Sequence, residues 1–433
     1  MKIKDLYEIY LSHPEIQTDT RKIKPGQLFF ALKGDQFNGN AFAAKALELG
    51  ASYCIVDEET GIQDSRIILV DDVLTALQQL AKMHREQFDI PFIAITGSNG
   101  KTTTKELIHA VLSTTYKTYT TEGNFNNHIG IPLTILKIKS DAEIAVIEMG
   151  ANHQKEIESY CTYAKPTHGL ITNCGKAHLE GFGGVLGVRK GKGELFDYIR
   201  ENNGTVFVCS DYDYLMDMSM GINNRIFYGT HGANETIQNR ISASSTIDSE
   251  SKLKLSFRTD DNDSDMMSTG LVGDYNLPNV LAACCIGLHF GIEKNKMKFA
   301  IESYVPTNSR SQLIEKGDNK IILDAYNANP SSMKLAIENF VKMQADQKIL
   351  MLGGMMELGD ESESEHKKIV DLIDAFQWEH VVLVGKQFEM YRNRHLYFED
   401  SDQAANWFKS MNFRGVSVLL KGSRSMKMEK VIE

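Results

Sequence analysis

Short apolar runs alternate with amphipathic stretches along this 433-residue chain. In the first 88 residues, GQLFFALKG and ASYCIVDE predict strands, while NAFAAKALELG and VLTALQQLAKMHREQ have the apolar spacing of helices. The pattern breaks around Phe88–Pro91, and we place the first domain boundary there. Residues 1–88 are therefore predicted to form a small α/β domain.

The next predicted strands are continuous apolar runs, namely FIAIT, IAVIE, GLITN and TVFVC. Such runs suit a mostly parallel sheet with helices on both faces. Between about 225 and 272 the character changes, because KLKLSF alternates as a half-exposed antiparallel strand does. We predict a central domain over residues 89–306, with a β-rich patch inside it.

Strand–helix alternation starts again after residue 306, with the predicted strands KIILD, KILMLGG, VVLVG and VSVLLKG. This order indicates a doubly wound, Rossmann-like domain over residues 307–433. The sequence has no GxGxxG stretch, so dinucleotide binding is not indicated. Asp360 is predicted to cap the helix that contains ESEHKKIVDLIDAF, with Glu363 three residues later.

The strongest chemical signal is the glycine loop that follows the strand FIAIT. It consists of Gly97, Ser98, Asn99, Gly100, Lys101, Thr102 and Thr103. Glycines let backbone N–H groups crowd a phosphate, and the dipole of the following helix adds positive potential. Lys101 would neutralise the terminal phosphates and the Thr102 hydroxyl would bind Mg²⁺. Two residues separate the glycines where the common pattern has four, which indicates a subclass of nucleoside triphosphate sites.

Three further stretches contain candidate residues. Glu148 ends IAVIE, where a carboxylate could hold Mg²⁺ or simply be a solvated strand end. His178 follows GLITN, and both a structural and a ligand role are open. Lys190 and Lys192 lie in VRKGKGELFDYI and cannot be separated by the sequence pattern.

Composition and charge indicate which partners and which cellular location to expect. The net charge is −10 and no long basic block occurs, which argues against a nucleic-acid partner. No run of 18 apolar residues and no signal-peptide core is present, so no membrane insertion is expected. Six scattered cysteines without a metal-type spacing are typical of a reduced, cytoplasmic protein. We expect a monomer by default.

Nine stretches together carry a resemblance to a known family. They are TGSNGKTTTKE, GNFNNHIGIPLT, EMGANHQKEI, NCGKAHLEGFGG, KGKGELF, GDYNLPNVLAA, DAYNANPSSMKLAI, LGGMMELGDESESEH and KGSRSMKME. Their types and order resemble the Mur ligases over nearly the whole chain. YNANP and MELG…ES are typical of the members that add D-alanyl-D-alanine, and the DNPR stretch of the ligase adding the third peptide residue does not occur.

The resemblance implies three domains and a two-step reaction. The N-terminal domain would bind a UDP-sugar, the central domain ATP, and the C-terminal domain would complete the ATP site and bind the incoming dipeptide. ATP would phosphorylate the terminal carboxylate of UDP-MurNAc-tripeptide, and the amine of D-Ala-D-Ala would displace phosphate from the acyl phosphate. By the same resemblance, this would be the last cytoplasmic step of peptidoglycan precursor synthesis.

The resemblance also implies roles for individual residues. Catalysis would involve Lys101, on the β- and γ-phosphates, together with His178 and Lys192. Two Mg²⁺ ions would be held by Thr102, Glu148, His178 and a Lys192 carbamylated by CO₂. Further nucleotide contacts are implied for Asn276, Asn279, Arg310, Asp324 and Asn327. Substrate contacts are implied for Thr20, Arg21, Lys33, Asn126 and Asn127.

Local departures from the family pattern and three other functions stay open. Tyr275, Ser309, the single Asp324 before AYNANP and Ser425 differ from the usual residues of the family. One alternative is another ligase of this architecture, which adds an amino acid to UDP-MurNAc-dipeptide or resembles folylpolyglutamate synthase. Another is a P-loop switch or transport ATPase, although no predicted strand of the central domain ends in the usual hydrophobic-Asp form. A third is a binding homologue without activity.

Overall fold

The computed structural model describes residues 1–230, 239–248, 251–259, 264–306 and 309–433. These residues form two compact units. Unit 1 comprises Met1–Ile95, Tyr116–Ala151 and Lys155–Gly169, and unit 2 comprises Thr96–Thr115, Asn152–Gln154 and Leu170–Glu433. Within unit 2 we call residues 309–433 the C-terminal segment and the remainder the central part.

The helices and strands follow one another in the order of an α/β protein. Up to residue 171 they are α1 (Ile3–Ser12), β1 (Ile16–Gln17), β2 (Leu28–Phe30), β3 (Lys33–Gly34), β4 (Phe37–Asn38), α2 (Ala43–Glu48), β5 (Tyr53–Val56), β6 (Ile67–Leu69), α3 (Val73–Arg85), β7 (Phe92–Thr96), α4 (Lys101–Leu112), β8 (Thr118–Thr120), α5 (Gly130–Leu136), β9 (Ile144–Glu148), α6 (Glu156–Ala164) and β10 (His168–Ile171).

Up to residue 302 they continue with α7 (Leu179–Phe182), α8 (Val185–Glu201), β11 (Thr205–Cys209), α9 (Asp213–Met218), β12 (Asn224–Thr230), β13 (Ile241–Ile247), β14 (Lys252–Thr259), β15 (Ser264–Val272), α10 (Leu277–His289) and α11 (Lys294–Glu302). The C-terminal segment contains β16 (Gln312–Lys316), β17 (Asn319–Asp324), α12 (Pro330–Lys342), β18 (Lys348–Gly353), α13 (Ser362–Asp374), β19 (His380–Val384), β20 (Leu396–Phe398), α14 (Ser401–Met411) and β21 (Ser417–Lys421).

Unit 1 contains two groups of parallel strands. Strands β1, β2, β5 and β6 lie side by side in that order, all parallel. Strands β7 and β8 flank β9, again parallel, and Ile95 lies opposite Glu148 in this register. Helix α3 begins where the Asp72 carboxylate accepts a hydrogen bond from the Thr75 amide at 2.6 Å. Its apolar face, which includes Leu77 and Leu80, is buried.

The central part of unit 2 combines parallel and antiparallel strands. Strand β12 pairs parallel with β11 and with β13, whereas β13, β14 and β15 pair antiparallel. Buried positions alternate with more accessible ones along β14, as KLKLSF predicts. The β-rich patch is therefore confirmed. Helix α10, which is apolar on nearly every side, is buried and packs against α4.

The C-terminal segment has its own six-stranded sheet, in the order β16-β17-β21-β18-β19-β20. All pairs are parallel except the hairpin of β16 and β17. Ile321, Met351, Val382 and Val418 belong to its core, and Trp407 packs against that core. The predicted doubly wound arrangement is confirmed in this segment.

One local prediction is wrong. Asp360 does not cap α13, because it lies inside a 3₁₀ turn, Gly359–Glu361, that precedes the helix. The helix starts at Ser362 without a side-chain cap. In the part of the chain that the structure describes, no helix has the length and apolar character needed to cross a membrane.

Candidate active site

The glycine loop joins β7 to the first turn of α4. Gly97 and Gly100 have φ angles of +145° and +78°, which side chains rarely allow. A Cβ atom at Gly97 would lie 2.0 Å from Thr172 Oγ1, and one at Gly100 would lie 2.6 Å from Asn279 Oδ1. Both glycines are thus required by backbone angle and by space. The loop ends at the N-terminus of a twelve-residue helix, where anions are favoured.

Residues after β10 hold this loop in place. The Ser98 amide donates to the Asn173 carbonyl at 2.9 Å, and the Asn99 amide donates to Asn173 Oδ1 at 3.1 Å. Thr172 Oγ1 donates to the Asn99 carbonyl at 2.6 Å. Thr172 and Asn173 lie in LITNCG, but the sequence pattern gave no reason to select them. A loop fixed in this way needs little rearrangement to bind an anion.

The side chains of the loop occupy positions suited to a triphosphate. Lys101 Nζ donates to the carbonyls of Gly97 at 2.7 Å and Ser98 at 3.2 Å, so its charge stays over the loop. Thr102 is buried at the start of α4. A lysine that curls over a glycine loop can place its charge on phosphate oxygens, and the residues present therefore fit ATP.

Asn276 and Asn279 lie behind the loop rather than inside it. Asn279 Oδ1 accepts from Thr104 Oγ1 at 3.0 Å, and its Nδ2 donates to Asn276 Oδ1 at 2.9 Å. Asn276 Nδ2 donates to the Val272 carbonyl at 2.8 Å. Both amides are buried, so this chain of hydrogen bonds braces α4 from the side of α10. Their implied nucleotide contact stays a prediction.

Glu148 and Asn126 meet in unit 1. Glu148 is 1% exposed at the carboxyl end of β9, and its Oε1 accepts from Asn126 Nδ2 at 2.7 Å. Asn127 Oδ1 accepts from the Gly130 amide at 2.9 Å, which fixes the start of α5. A buried carboxylate oxygen is the type of ligand that Mg²⁺ prefers, so Glu148 fits a metal site.

His178 lies against the C-terminal segment. Its backbone is left-handed, with φ +52°, and its Nδ1 contacts the carboxylate of Glu357. Glu357 is also left-handed, with φ +62°. The hydrogen bond with His178 holds the pKa of the Glu357 carboxyl below its ordinary value, against the effect of burial. The sequence pattern did not single out Glu357 as a partner of His178.

Lys192 is buried on α8. It is 1% exposed, and its Nζ lies 4.9 Å from the centre of the Phe182 ring. Burial raises the pKa of the Cys174 thiol to about 12, and the nearby charge of Lys192 opposes this rise only in part. Low solvent access favours the neutral form of an amine, which is the form that reacts with CO₂. Lys192 therefore fits the implied modification, whereas Lys190 lies on the same helix without comparable burial.

The implied nucleotide residues of the C-terminal segment form a compact group. The guanidinium of Arg310 stacks 3.5 Å above the Tyr326 ring. Asp324 accepts from the Ser311 amide at 3.1 Å and pairs with Lys421 Nζ at 2.5 Å. Lys421 is 2% exposed and also reaches the Asn327 carbonyl at 3.4 Å. Asp324 is thus held by a buried lysine that the sequence pattern did not select.

The implied UDP-side residues are at the surface of unit 1. Arg21 pairs with Asp19, and Thr20 lies between them in a 3₁₀ turn. Lys33 Nζ lies 3.1 Å from Asp57 and 3.3 Å from Glu58. Asp57 is buried next to Asn40, which makes Lys33 part of a charged cluster. Their binding roles stay predictions.

The loop and the surrounding residues have the arrangement expected of a P-loop nucleotide site in a multi-domain α/β protein. Family models match three consecutive segments: the Mur ligase family catalytic domain at residues 14–85, the Mur ligase middle domain at 95–287, and the Mur ligase glutamate ligase domain at 309–424. The chain belongs to the Mur ligase family.

Individual relatives agree with this assignment. The chain is 34% identical to UDP-N-acetylmuramoyl-tripeptide–D-alanyl-D-alanine ligase of Bacillus subtilis and 33% identical to that of Escherichia coli. Both comparisons cover 96% of this chain and 92% of the relative. A MurF crystal structure from Acinetobacter baumannii gives a TM-score of 0.87 at 29% identity, covering 96% of this chain and 92% of that one.

A Thermotoga maritima MurF structure in complex with ADP gives a TM-score of 0.86 at 26% identity. It covers 98% of this chain and 97% of that chain. The three-domain α/β fold and the family predicted from the sequence are confirmed.

Proposed function

We propose that this protein is an ATP-dependent ligase that joins D-alanyl-D-alanine to UDP-MurNAc-tripeptide, as the names of its relatives in Bacillus subtilis and Escherichia coli describe for those proteins. The observation that carries the proposal is the glycine loop, which is fixed by Asn173 and contacted by the C-terminal segment through Asn329. That arrangement supports an ATP site between the central part and the C-terminal segment of unit 2.

The reaction has two steps. A carboxylate oxygen of the tripeptide attacks the γ-phosphorus of ATP, the bond to the β,γ-bridging oxygen breaks, and ADP leaves. The amine of D-Ala-D-Ala then attacks the carbonyl carbon of the acyl phosphate, loses a proton, and inorganic phosphate leaves. Positioning and neutralisation of charge account for most of the acceleration in such transfers.

The chain's own residues supply the charges. Lys101 would move from the carbonyls of its loop onto the β- and γ-phosphates, while the backbone amides of residues 97–103 would surround the same oxygens. When bound, Mg²⁺ supplies further positive charge to the phosphates. Thr102, Glu148 and His178 would hold two such ions, with Lys192 as a carbamate supporting the second.

The remaining implied contacts belong to the same proposal. On the nucleotide side they comprise Asn276, Asn279, Arg310, Asp324 and Asn327. On the substrate side they comprise Thr20, Arg21, Lys33, Asn126 and Asn127. The proposal also includes three domains with the limits 1–88, 89–306 and 307–433, a monomeric state and a cytoplasmic location. Residue 307, at the last limit, lies outside the described residues.

Product analysis by mass spectrometry tests the function. Purified protein is incubated with ATP, UDP-MurNAc-tripeptide and D-Ala-D-Ala, with D-Ala-D-lactate, free amino acids and folylpolyglutamate precursors as competing substrates. We expect the pentapeptide product and one ADP for each bond formed. Product from an amino acid alone would indicate another ligase of the family, and phosphate release without any acceptor would indicate an ATPase. Lys101→Ala is the inactive control.

A further inference from the structure

A buried carboxylate on α13 faces the loop that follows β10. Glu365 Oε1 lies 2.6 Å from Lys176 Nζ and 2.7 Å from Lys368 Nζ. The Glu365 side chain is 4% exposed, whereas Lys176 and Lys368 are 39% and 59% exposed. Lys368 belongs to the same helix, but Lys176 comes from the central part of unit 2. The carboxylate therefore joins the C-terminal segment to a loop 189 residues earlier in the chain.

The same loop makes a second contact with the C-terminal segment. The Lys176 backbone amide donates to Ser331 Oγ at 3.0 Å. A Cβ atom at Gly175 would lie 2.9 Å from that Oγ, so the backbone approaches the first turn of α12 closely. Two independent contacts thus hold residues 175 and 176 against helices α12 and α13.

Both ends of this loop belong to the candidate active site. At one end Asn173 holds the amides of Ser98 and Asn99 in the glycine loop. At the other end His178 contacts Glu357. Any displacement of residues 175 and 176 would therefore move both the support of the glycine loop and the histidine implied to bind metal.

The charge of Glu365 depends on its partners. Burial by itself raises the pKa of the Glu365 carboxyl. Hydrogen bonds from Lys176 and Lys368 lower that pKa by more, so it lies below its ordinary value. An ionised carboxylate with so little solvent is stable only while cations remain in contact with it. Removal of Lys176 would leave the buried charge with its helical neighbour alone.

We propose that Glu365 is a positioning residue, which acts through Lys176 to hold the 173–178 loop against the C-terminal segment and so fixes the glycine loop relative to His178. The inference rests on the proposed function, because it assigns these residues to the support of the proposed ATP site. It involves no direct contact of Glu365 with substrate.

A double-mutant cycle tests the inference. Glu365→Gln, Lys176→Gln and the double variant are compared for ADP affinity by calorimetry and for kcat/KM of ATP. We expect each single change to weaken ADP binding about tenfold, and the double change to be no worse than the worse single one. Lys176→Arg keeps the charge and should retain most of the affinity. Lys367→Gln, which breaks only the exposed pair with Asp371 on the same helix, is the matched control.

The two proposals fail in different ways. Calorimetry with ADP needs no acceptor, so a wrong acceptor would leave the cycle interpretable. The positioning role is overturned if the effects of Lys176→Gln and Glu365→Gln simply add, if ADP affinity is unchanged in both, or if Lys367→Gln has the same effect. If Glu365→Gln does not fold, the ADP affinities of Lys176→Gln and Lys176→Arg are compared instead, because Lys176 is partly exposed and its replacement should be tolerated. Equal affinities of these two variants would then overturn the positioning role.

Discussion

The side-chain amide of Asn329 donates a hydrogen bond to Asn99 in the glycine loop, with 2.7 Å between Nδ2 and Oδ1. Asn329 has a second task, because its Oδ1 accepts from the Ser332 amide at 2.9 Å and caps α12. One residue therefore starts a helix of the C-terminal segment and touches the tip of the phosphate loop. We expect this contact to couple nucleotide binding to the position of the C-terminal segment.

Asn329→Ser separates these two tasks. Serine is a good helix cap but lacks the amide that reaches Asn99, so we expect a nearly unchanged thermal midpoint. The KM for ATP should rise about tenfold, because one hydrogen bond to the loop is lost. Steady-state kinetics and thermal unfolding measure the two quantities.

Ser332→Ala is the matched control for this prediction. It removes the reciprocal bond of the capping box, in which the backbone N–H of Asn329 donates to Ser332 Oγ at 3.1 Å. The bond from the Asn329 side chain to Asn99 is left in place. We expect lower stability with little change in KM for ATP. If Ser332→Ala raised the KM as much as Asn329→Ser, the contact with Asn99 would have no specific role.

Gly100→Ala is expected to abolish nucleotide binding. The new methyl group would meet Asn279 Oδ1 at 2.6 Å in a backbone with φ +78°, so both the loop and the bond to Thr104 must shift. Gly317→Ala, in the hairpin of β16 and β17, has φ +62° and open space, and should cost about 1 kcal/mol of stability only. ADP titration by calorimetry distinguishes them, and equal affinities in the two variants would contradict this reading of the loop.

Much of the fold was predictable because its signals are local. The runs FIAIT, IAVIE and TVFVC coincide with β7, β9 and β11, since a continuous apolar run between polar breaks fixes a buried strand by itself. The glycine loop was equally clear, because φ angles and close approach restrict its residues within a few positions. The prediction that Asp360 caps α13 was wrong because Asp360 lies in an additional 3₁₀ turn that precedes the helix.

The partners of the site were not predictable for the opposite reason. Glu365 and Lys176 are 189 residues apart, and Asn329 and Asn99 are 230 residues apart. Periodicity says that a helix buries one face but not which distant loop that face meets. Whether Glu148 was a ligand or a solvated strand end could not be decided either, and only the structure places it at 1% exposure beside Asn126.

Removal of CO₂ should slow the enzyme if Lys192 is a carbamate. The amine of Lys192, which is 1% exposed, would take up CO₂ and release one proton. We expect activity in CO₂-free buffer to fall severalfold and to return with bicarbonate. In ¹³CO₂-saturated buffer a carbamate signal should be present in the ¹³C spectrum of the wild type and absent from Lys192→Met. A wild-type spectrum without that signal would refute the modification independently of activity.

Two buried histidines predict how stability changes with pH. His366 Nε2 accepts from the Met355 amide at 2.9 Å, while Nδ1 lies 2.7 Å from the Ser362 carbonyl. His84 lies 2.7 Å from the Ile138 carbonyl and 3.1 Å from the Tyr7 hydroxyl. Burial lowers the pKa of both imidazoles below the ordinary value of 6.5. Both are thus neutral in the folded protein at neutral pH.

The folded state therefore binds fewer protons than the unfolded state just below pH 6.5, and protonation favours unfolding. The contribution of each histidine is fully present above about pH 6.5 and is lost as the pH falls, at no more than about 1.4 kcal/mol per pH unit. Urea denaturation between pH 5 and 7.5 should show this loss in the wild type. His366→Gln keeps an acceptor near the Met355 amide but cannot titrate, so its free energy of unfolding should fall less steeply with decreasing pH. Identical slopes for the two proteins would show that protonation of His366 does not drive the loss.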